Sequence, residues 1–273
     1  MAVATATPRE LQYGCDLTLL PSELRDRFIQ LEQDEAARVF LDASRAAPHG
    51  AWRSRAYGVL RSLMSDYDAY GLLDMYPMHL LSAPQLDRLL GEGRRARLLD
   101  IGAGSGGVTQ HAAELFQHVS ATETSGMLKR SLRRRGFTVL DCDLTYAPLP
   151  SSTQRFDAVL CFNVIDRCSH PLTLVRHARA ALEANGTMIV SVPLPLKPHV
   201  HVGRFTVDQE ERLPTAQPSW EGGAASIARE LLTPAGLELR SLSRVPYLCR
   251  GDATTPLYVL DAAVFVCSSR RTP

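Results

Sequence analysis

The sequence predicts an α/β fold, in which a mostly parallel sheet ends in an antiparallel hairpin and follows a helical N-terminal extension. From Arg97 onward, strand-like and helix-like stretches alternate, which is typical of a parallel sheet with crossover helices. Near the end, two apolar runs, Leu242–Cys249 and Val259–Cys267, are joined by a turn-rich segment and predict a hairpin. With 273 residues, of which 45% are hydrophobic, the chain is long enough for one large core plus an appendage.

The first 90 residues are expected to form the extension. Leu24, Phe28 and Leu31 recur at helical steps, and similar apolar steps continue to about Leu90. The tyrosines of this region are expected to pack against the sheet edge, with a lid over the site as the alternative. They are Tyr67, Tyr70 and Tyr76.

Residues 91–273 are expected to form the core domain. Five parallel strands followed by a hairpin give seven strands, which is the layout of a class I (Rossmann-like) methyltransferase rather than of a full dinucleotide-binding dehydrogenase. The predicted parallel strands are Leu98–Gly102, His118–Thr122, Thr138–Asp141, Ala158–Phe162 and Thr187–Val192, and the predicted helices are Val108–Phe116, Ser125–Arg135, Leu172–Ala184 and Ala225–Leu232. One long irregular loop is expected over residues 193–219.

Composition narrows the possible partners. Lysine plus arginine (30) nearly balances aspartate plus glutamate (29), so no nucleic-acid partner is expected, and the basic run Lys129–Arg135 is interpreted as a solvated helix face. No apolar run reaches the roughly 18 residues of a membrane span and no signal peptide is evident, so we expect an intracellular, cytoplasmic protein. The six cysteines lack metal-ligand spacing, predict no metal site and are expected to be reduced and buried: Cys15, Cys142, Cys161, Cys168, Cys249 and Cys267.

A glycine turn follows the first core strand. Gly102, Gly104 and Gly107 have the spacing of a dinucleotide fingerprint, with Glu123 about 20 residues further on for a ribose. Asp100, two residues before the first glycine, disfavours a pyrophosphate and favours a ligand with positive charge. The pattern therefore favours S-adenosylmethionine, whose sulfonium and amino groups are cationic.

Acidic residues also follow the next two strands. Glu123 is placed to accept hydrogen bonds from both ribose hydroxyls, and Asp143 from the adenine amino group. Either one alone would be interpreted as a surface carboxylate at a helix start. Together with Asp100 they mark three successive strand ends, where open sheets bind ligands.

The fourth strand ends in the sequence CFNVIDRC. Asn163 and Asp166 lie three residues apart, close enough to converge on one substrate group. The alternative is that Asp166 caps the helix that begins near Pro171.

Several motifs resemble the DREV family, the relatives of methyltransferase-like protein nine. They are LLDIGAGSG, ATETS, NVIDRCSHPLTLVRHARAALE, SVPLPLKPHV, and RVPYLCRGD followed by YVLDAAVFV. The resemblance covers nearly all of the chain from about Leu31 to Val266. The resemblance implies a protein-histidine methyltransferase that uses S-adenosylmethionine, releases S-adenosylhomocysteine and methylates the imidazole nitrogen nearer Cβ in His-x-His targets. It implies donor binding by Asp100, Gly102, Gly104, Glu123 and Asp143, with Asn163 at the boundary between donor and substrate and with Asp166 and Tyr258 holding the imidazole. The chain departs from the family at Ser105 and over residues 203–223.

Histidine methylation needs one ring nitrogen with a free lone pair. A carboxylate that accepts the N–H of the other nitrogen fixes that tautomer, and Asp166 is the candidate. Tyr258 is its expected partner, with core packing as the alternative, and Tyr247 is a weaker candidate for the same wall. The chain carries its own His199-Val200-His201, but valine is bulkier than the family's spacer, so self-methylation is not expected. A monomer is expected.

Other functions stay open at this level. A methyltransferase of this class acting on RNA or a small metabolite would share the same donor residues. A catalytically silent binding protein would keep the fold and lose donor binding.

Overall fold

The computed structural model describes residues 11–46, 51–60, 64–73, 75, 77–202, 205–213, 217–251 and 255–270. Tyr76 lies outside these ranges. The strands are β1 (Met78–His79), β2 (Arg97–Ile101), β3 (His118–Thr122), β4 (Thr138–Leu140), β5 (Phe156–Phe162), β6 (Leu182–Leu194), β7 (Val200–Val202), β8 (Phe205–Val207), β9 (Leu237–Arg250) and β10 (Leu257–Ser269). The helices are α1 (Ser22–Arg25), α2 (Glu35–Ala46), α3 (Ala51–Leu60), α4 (Asp66–Leu73), α5 (Ala83–Leu90), α6 (Gly107–Ala113), α7 (Gly126–Arg134), α8 (Pro171–Ala180) and α9 (Trp220–Ile227), and a π-helical turn, Ala228–Leu232, follows α9.

A single large sheet confirms the predicted fold class. Its strand order is β1-β9-β10-β6-β5-β2-β3-β4, and the five strands from β6 to β4 pair in parallel. Strand β10 lies antiparallel to β6, and β9 antiparallel to β10, so the closing hairpin extends the parallel sheet at one edge. The two-residue β1 adds an eighth strand outside the predicted seven.

Several strand and helix boundaries differ from those expected. The helix expected over Ala225–Leu232, for example, is α9 (Trp220–Ile227) followed by the π-helical turn. Helix α8 ends at Ala180 rather than Ala184, because β6 already begins at Leu182, where it pairs with Phe156 of β5. The segment expected to be irregular contains the β7–β8 hairpin, in which Val200 pairs with Val207.

The core occupies both faces of the sheet. One apolar cluster joins β5 and β6 to α8 and α9, with Leu174, Val190 and Ile227 among its fully buried members. A second cluster joins the other face to α5 and α6, around Leu86 and Leu98. Each Å² of apolar surface removed from water stabilises the fold by roughly 25 cal/mol. Packing on both faces therefore stabilises the sheet beneath its loops.

The N-terminal extension packs directly on this core. The backbone N–H of Ile29 donates to Leu242 O, and that of Leu242 donates to Arg27 O, so the segment runs alongside β9. Leu20 and Leu31 are each 1% exposed and belong to the two core clusters. No helix in the described ranges is long and apolar enough to cross a membrane.

All six cysteines are free thiols. Cys161, Cys168 and Cys267 are buried as expected, because they lie in or beside central strands. The expectation of full burial was wrong for the other three, which are partly exposed: Cys15, Cys142 and Cys249.

Candidate functional site

The carboxyl ends of β2, β3 and β5 lie level with one another. Ile101 is in register with Thr122 of β3 and with Cys161 of β5, so the loops that follow emerge side by side. The sequence places its polar residues in these loops, and the sheet brings them to one edge.

The glycine turn is shaped by its neighbours. Gly102 has φ +64°, and a Cβ at this position would lie 2.6 Å from Cγ2 of Val164 in the loop after β5. Gly104 has φ +58°, and in the described part of the chain no atom lies within 4 Å of its Cβ position, so the turn faces open space there. Gly107 is the first residue of α6, and the left-handed N-cap before it is Gly106, at φ +84°. Gly102 is therefore required by packing and Gly104 leaves room for a ligand.

Asp100 lies beneath the turn rather than in it. It is 3% exposed, and its Oδ2 accepts a 2.6 Å hydrogen bond from the hydroxyl of Thr109 in α6. Burial raises the pKa of this carboxyl to about 7, although the Thr109 hydrogen bond opposes the shift. Asp100 thus ties β2 to the first turn of α6 and adds negative charge under the turn when it is ionised.

Glu123 links the turns after β2 and β3. Its Oε2 accepts from the backbone N–H of Gly104 at 2.9 Å, and its Oε1 accepts from those of Thr124 and Ser125 at 2.7 and 3.0 Å. The Thr124 hydroxyl also donates to Oε1, at 3.3 Å. Oε2 accepts only the Gly104 N–H from the described residues, so one of its two lone pairs is left for a hydroxyl donor. Asp143 accepts from the backbone N–H of Thr145 through Oδ1, which shapes the loop after β4.

Asn163 adopts a left-handed conformation, with φ +57°. Its backbone N–H donates to Ser191 O at 3.0 Å, and its side-chain Oδ1 accepts from the Ser191 hydroxyl, also at 3.0 Å. Ser191 of β6, which sequence reasoning did not single out, therefore fixes Asn163 at the end of β5.

The two carboxylate oxygens of Asp166 differ in their hydrogen bonding. The residue is 3% exposed, and Oδ2 accepts a 2.9 Å hydrogen bond from Nε of Arg167. Oδ1 is buried, and no residue in the described ranges donates to it. Burial raises the pKa of Asp166, and the charge of Arg167 opposes that shift. The side chain does not cap α8, because the N-cap position is His170 and no side-chain cap bond forms there.

The two hairpin tyrosines differ in what surrounds them. The Tyr247 hydroxyl donates to Sδ of Met78 in β1, and burial raises the pKa of Tyr247, with Asn163 and Arg167 opposing that shift. Tyr258 pairs with Cys249 on the neighbouring strand, while Tyr247 pairs with Leu260. Both tyrosines therefore share one face of the sheet, with Tyr258 two pairs closer to the hairpin turn.

Helix α4 of the extension also contributes to this edge of the sheet. The pKa of Tyr67 is raised by burial, and the charges of Arg167, Asp166 and Glu123 all act on its hydroxyl. Its ring lies edge-on to His201, with centroids 5.8 Å apart. Tyr67 thus lies against His201 of β7, and the next residue, Asp68, bonds Ser125 in the turn after β3. No spacing in the sequence indicates this position.

Two features at this edge of the sheet fit S-adenosylmethionine. Gly104 leaves space at the turn, and Glu123 keeps acceptor capacity for hydroxyl groups. The strand order, with the last strand antiparallel beside β6, and the glycine turn after β2 together define a class I, S-adenosylmethionine-dependent methyltransferase fold. The methyl donor of this class is S-adenosylmethionine. Within it, the chain belongs to the DREV methyltransferase family, whose family model matches residues 12–269.

Comparison with individual proteins gives more distant similarities. A ubiquinone biosynthesis O-methyltransferase of Cereibacter sphaeroides is 32% identical over 99 residues, which are 35% of this chain and 40% of that protein. One from Xanthomonas campestris is 27% identical over 125 residues, 42% of this chain and 51% of that protein. The chain thus matches about half or less of the length of these curated relatives.

Solved structures are similar at low identity. A putative methyltransferase from Bacillus halodurans is 13% identical with a TM-score of 0.49, over 70% of this chain and 99% of that chain. The glycopeptide N-methyltransferase MtfA, solved with S-adenosylmethionine, is 15% identical with a TM-score of 0.46, over 70% and 88%.

Proposed function

We propose that this protein transfers the methyl group of S-adenosylmethionine to histidine side chains of target proteins, at the imidazole nitrogen nearer Cβ in His-x-His motifs. The single observation that supports this most is the buried Oδ1 of Asp166, an acceptor without a donor in the described ranges, at the edge of the sheet where the donor is expected to bind. Membership of the DREV family agrees with it.

A buried carboxylate oxygen without a partner is costly unless a ligand supplies a donor. An imidazole N–H is such a donor, and a neutral imidazole that donates through its far nitrogen keeps its lone pair on the nitrogen nearer Cβ. Asp166 would therefore select the tautomer that can be methylated, and its charge would stabilise the cation that forms on the ring.

The donor, when bound, supplies an activated methyl group on a positively charged sulfur. The lone pair of the target nitrogen forms the new N–C bond while the C–S bond breaks, and the ring later loses the proton from its other nitrogen. Alignment of nitrogen, methyl and sulfur at about 3 Å supplies much of the acceleration. In the proposed site, Asn163 and Tyr247 line the boundary between donor and target, and Tyr258 extends the wall.

Donor binding is assigned, within the same proposal, to the first three strand ends. Gly102 and Gly104 would let the turn approach the donor, Glu123 would accept from its ribose, and Asp143 from its adenine amino group. Asp100 would act from below, through its charge and its bond to Thr109. The helical extension, residues 1–90, and the core, residues 91–273, would act as one unit, because Asp68 of the extension bonds Ser125 in the turn that carries Glu123.

We predict that Asp166→Asn abolishes methyl transfer, with a loss of at least about 100-fold, because the amide presents an N–H where the target needs an acceptor. Donor affinity, measured by calorimetry, should stay within about twofold. The assay uses labelled donor and a His-Ala-His peptide, with a peptide carrying alanine at both histidines as the blank.

Asp42→Asn, at an exposed position of α2, is the control and should retain full activity. Transfer by Asp166→Asn at the wild-type rate would contradict the assigned role of Asp166. Methylation of a ubiquinone-type phenol or of RNA, without any on the peptide, would replace the substrate class, and absence of donor binding would indicate a silent protein.

A further inference from the structure

We propose that Arg167 and His199 are positioning residues, which together hold Asp166 so that Oδ1, to which no residue in the described ranges donates, faces the target imidazole. This inference rests on the proposed function and deepens it, because it names side chains that act through Asp166 without touching the substrate.

Arg167 bridges the other two side chains. Its Nε donates to Oδ2 of Asp166 at 2.9 Å, and its Nη1 contacts Nε2 of His199 in a short hydrogen bond. The guanidinium is planar and rigid, so fixing it at one end fixes the carboxylate at the other. Its side chain is 37% exposed, whereas that of Asp166 is 4% exposed, so Arg167 approaches the buried carboxylate from the solvent side.

The partners of His199 determine its tautomer. Nδ1 lies 2.9 Å from the carbonyl oxygen of Lys197, which only accepts, so Nδ1 must carry the proton. Nε2 faces the Arg167 guanidinium, which only donates, so Nε2 must accept. His199 is therefore a neutral acceptor for Arg167, and its Nδ1 has no lone pair for self-methylation.

The backbone reinforces this arrangement. The N–H of His199 donates to the carbonyl oxygen of Asp166 at 2.9 Å, which ties the segment before β7 to the loop after β5. The buried amide of Gln209 donates to the carbonyl oxygens of Ile165 and Cys168 at 2.7 and 2.8 Å, on either side of Asp166. The loop is thus fixed from outside, and the Arg167–His199 pair sets the side-chain orientation within it.

The two oxygens of the Asp166 carboxylate therefore have different partners. Arg167 occupies Oδ2 and leaves Oδ1 for the target, and its charge favours the ionised form of Asp166. Without this contact the carboxylate is free to rotate, and either oxygen can turn from the ring. Lysine cannot replace arginine here, because one ammonium cannot reach both partners with the geometry of a guanidinium.

The test compares variants by their effect on kcat, KM and donor affinity. Arg167→Lys and His199→Leu should each lower kcat on the His-Ala-His peptide about tenfold or more, with donor affinity and melting temperature nearly unchanged. His199→Gln keeps an acceptor that can reach Arg167 and should restore most of the loss. The matched controls are Arg240→Lys on β9 and His118→Leu at the opposite edge of the sheet, both exposed, and both should behave as wild type.

A second measurement does not depend on activity. Nitrogen NMR of labelled protein should show His199 neutral, with the proton on Nδ1. A proton on Nε2, or unchanged kcat in both Arg167→Lys and His199→Leu, would overturn the positioning role while leaving the proposed function intact. If the wild-type protein transfers no methyl to histidine peptides, the proposed function fails, and this inference fails with it.

Discussion

At the scale of single residues, the structure separates glycines required by packing from glycines that leave room. Gly102 and Gly104 have similar positive φ values, yet only Gly102 has a neighbour, Val164, at the place of a Cβ. The sequence motif treats both alike. Their different surroundings predict different consequences of substitution.

We predict that Gly102→Ala destabilises the protein by about 2–4 kcal/mol and weakens donor binding at least tenfold. An alanine in the left-handed conformation costs about 1–2 kcal/mol. The overlap of its methyl group with Val164 adds to that cost. Gly136→Ala is the control, since it has φ +86° and open space around its Cβ position in the described structure. It should cost only about 1 kcal/mol and leave donor affinity unchanged. Chemical denaturation and calorimetry measure both; equal losses in the two variants would contradict the packing explanation.

The contact between Arg167 and His199 could not be predicted from the sequence. Arg167 stood next to Asp166 in a quoted motif, and His199 was noted only as a potential methyl acceptor. Their pairing joins residues 32 positions apart through the loops after β5 and β6. No periodicity or spacing reports such a contact, because it depends on how the β7 segment folds back.

At the scale of elements, helix α4 of the extension is hydrogen-bonded to the N-terminus of α7 in the core. Oδ1 of Asp68 accepts from the hydroxyl of Ser125 at 2.5 Å and from the backbone N–H of Met127 at 3.2 Å. Ser125 is itself the N-cap of α7, whose hydroxyl accepts from Leu128 N–H. Asp68 thus holds α4, and with it Tyr67, against the helix that follows Glu123.

We predict that Asp68→Ala lowers stability by about 1–2 kcal/mol, because it removes two hydrogen bonds at the N-terminus of α7 and a third from the Ser65 hydroxyl. It should also weaken donor affinity several-fold, since α4 loses its anchor beside the donor turn. Asp68→Asn retains the acceptor oxygen and should lose less. Asp42→Ala, an exposed aspartate of α2, is the control for removing a surface carboxylate. Unchanged melting temperature and affinity in Asp68→Ala would show that α4 docks independently of this contact.

At the scale of the whole molecule, two buried ionisable groups should have opposite effects on the free energy of unfolding as pH falls. Burial, together with nearby His111, lowers the pKa of His79 to about 4, so between pH 6.5 and 4 the unfolded chain binds a proton that the native state refuses. Burial raises the pKa of Asp100 to about 7, so between pH 7 and 4 the native state binds a proton that the unfolded chain lacks. Acidification therefore destabilises through His79 and stabilises through Asp100.

We predict that removing Asp100 and removing His79 change the pH dependence of stability in opposite directions. Relative to wild type, Asp100→Asn should lose about 3 kcal/mol of stability between pH 7 and pH 4, and His79→Gln should gain a similar amount. Denaturant unfolding across this range, read as the difference from wild type, isolates each group from the other carboxylates. Differences that stay constant with pH would contradict both assignments.

The sequence by itself determined the alternation of strands and helices, the closing hairpin and the family, because these follow from apolar periodicity and contiguous motifs. It also placed Asp100, Glu123, Asn163 and Asp166 at strand ends, since a parallel sheet carries its carboxyl ends to one edge. Only the tertiary structure decided what those side chains do: Asp100 is buried against Thr109, and Arg167, which also contacts His199, bonds one oxygen of Asp166 while no residue in the described ranges donates to the other. The physical reason is that burial and hydrogen bonding depend on which distant segments meet, and a linear pattern records only the neighbours within one element.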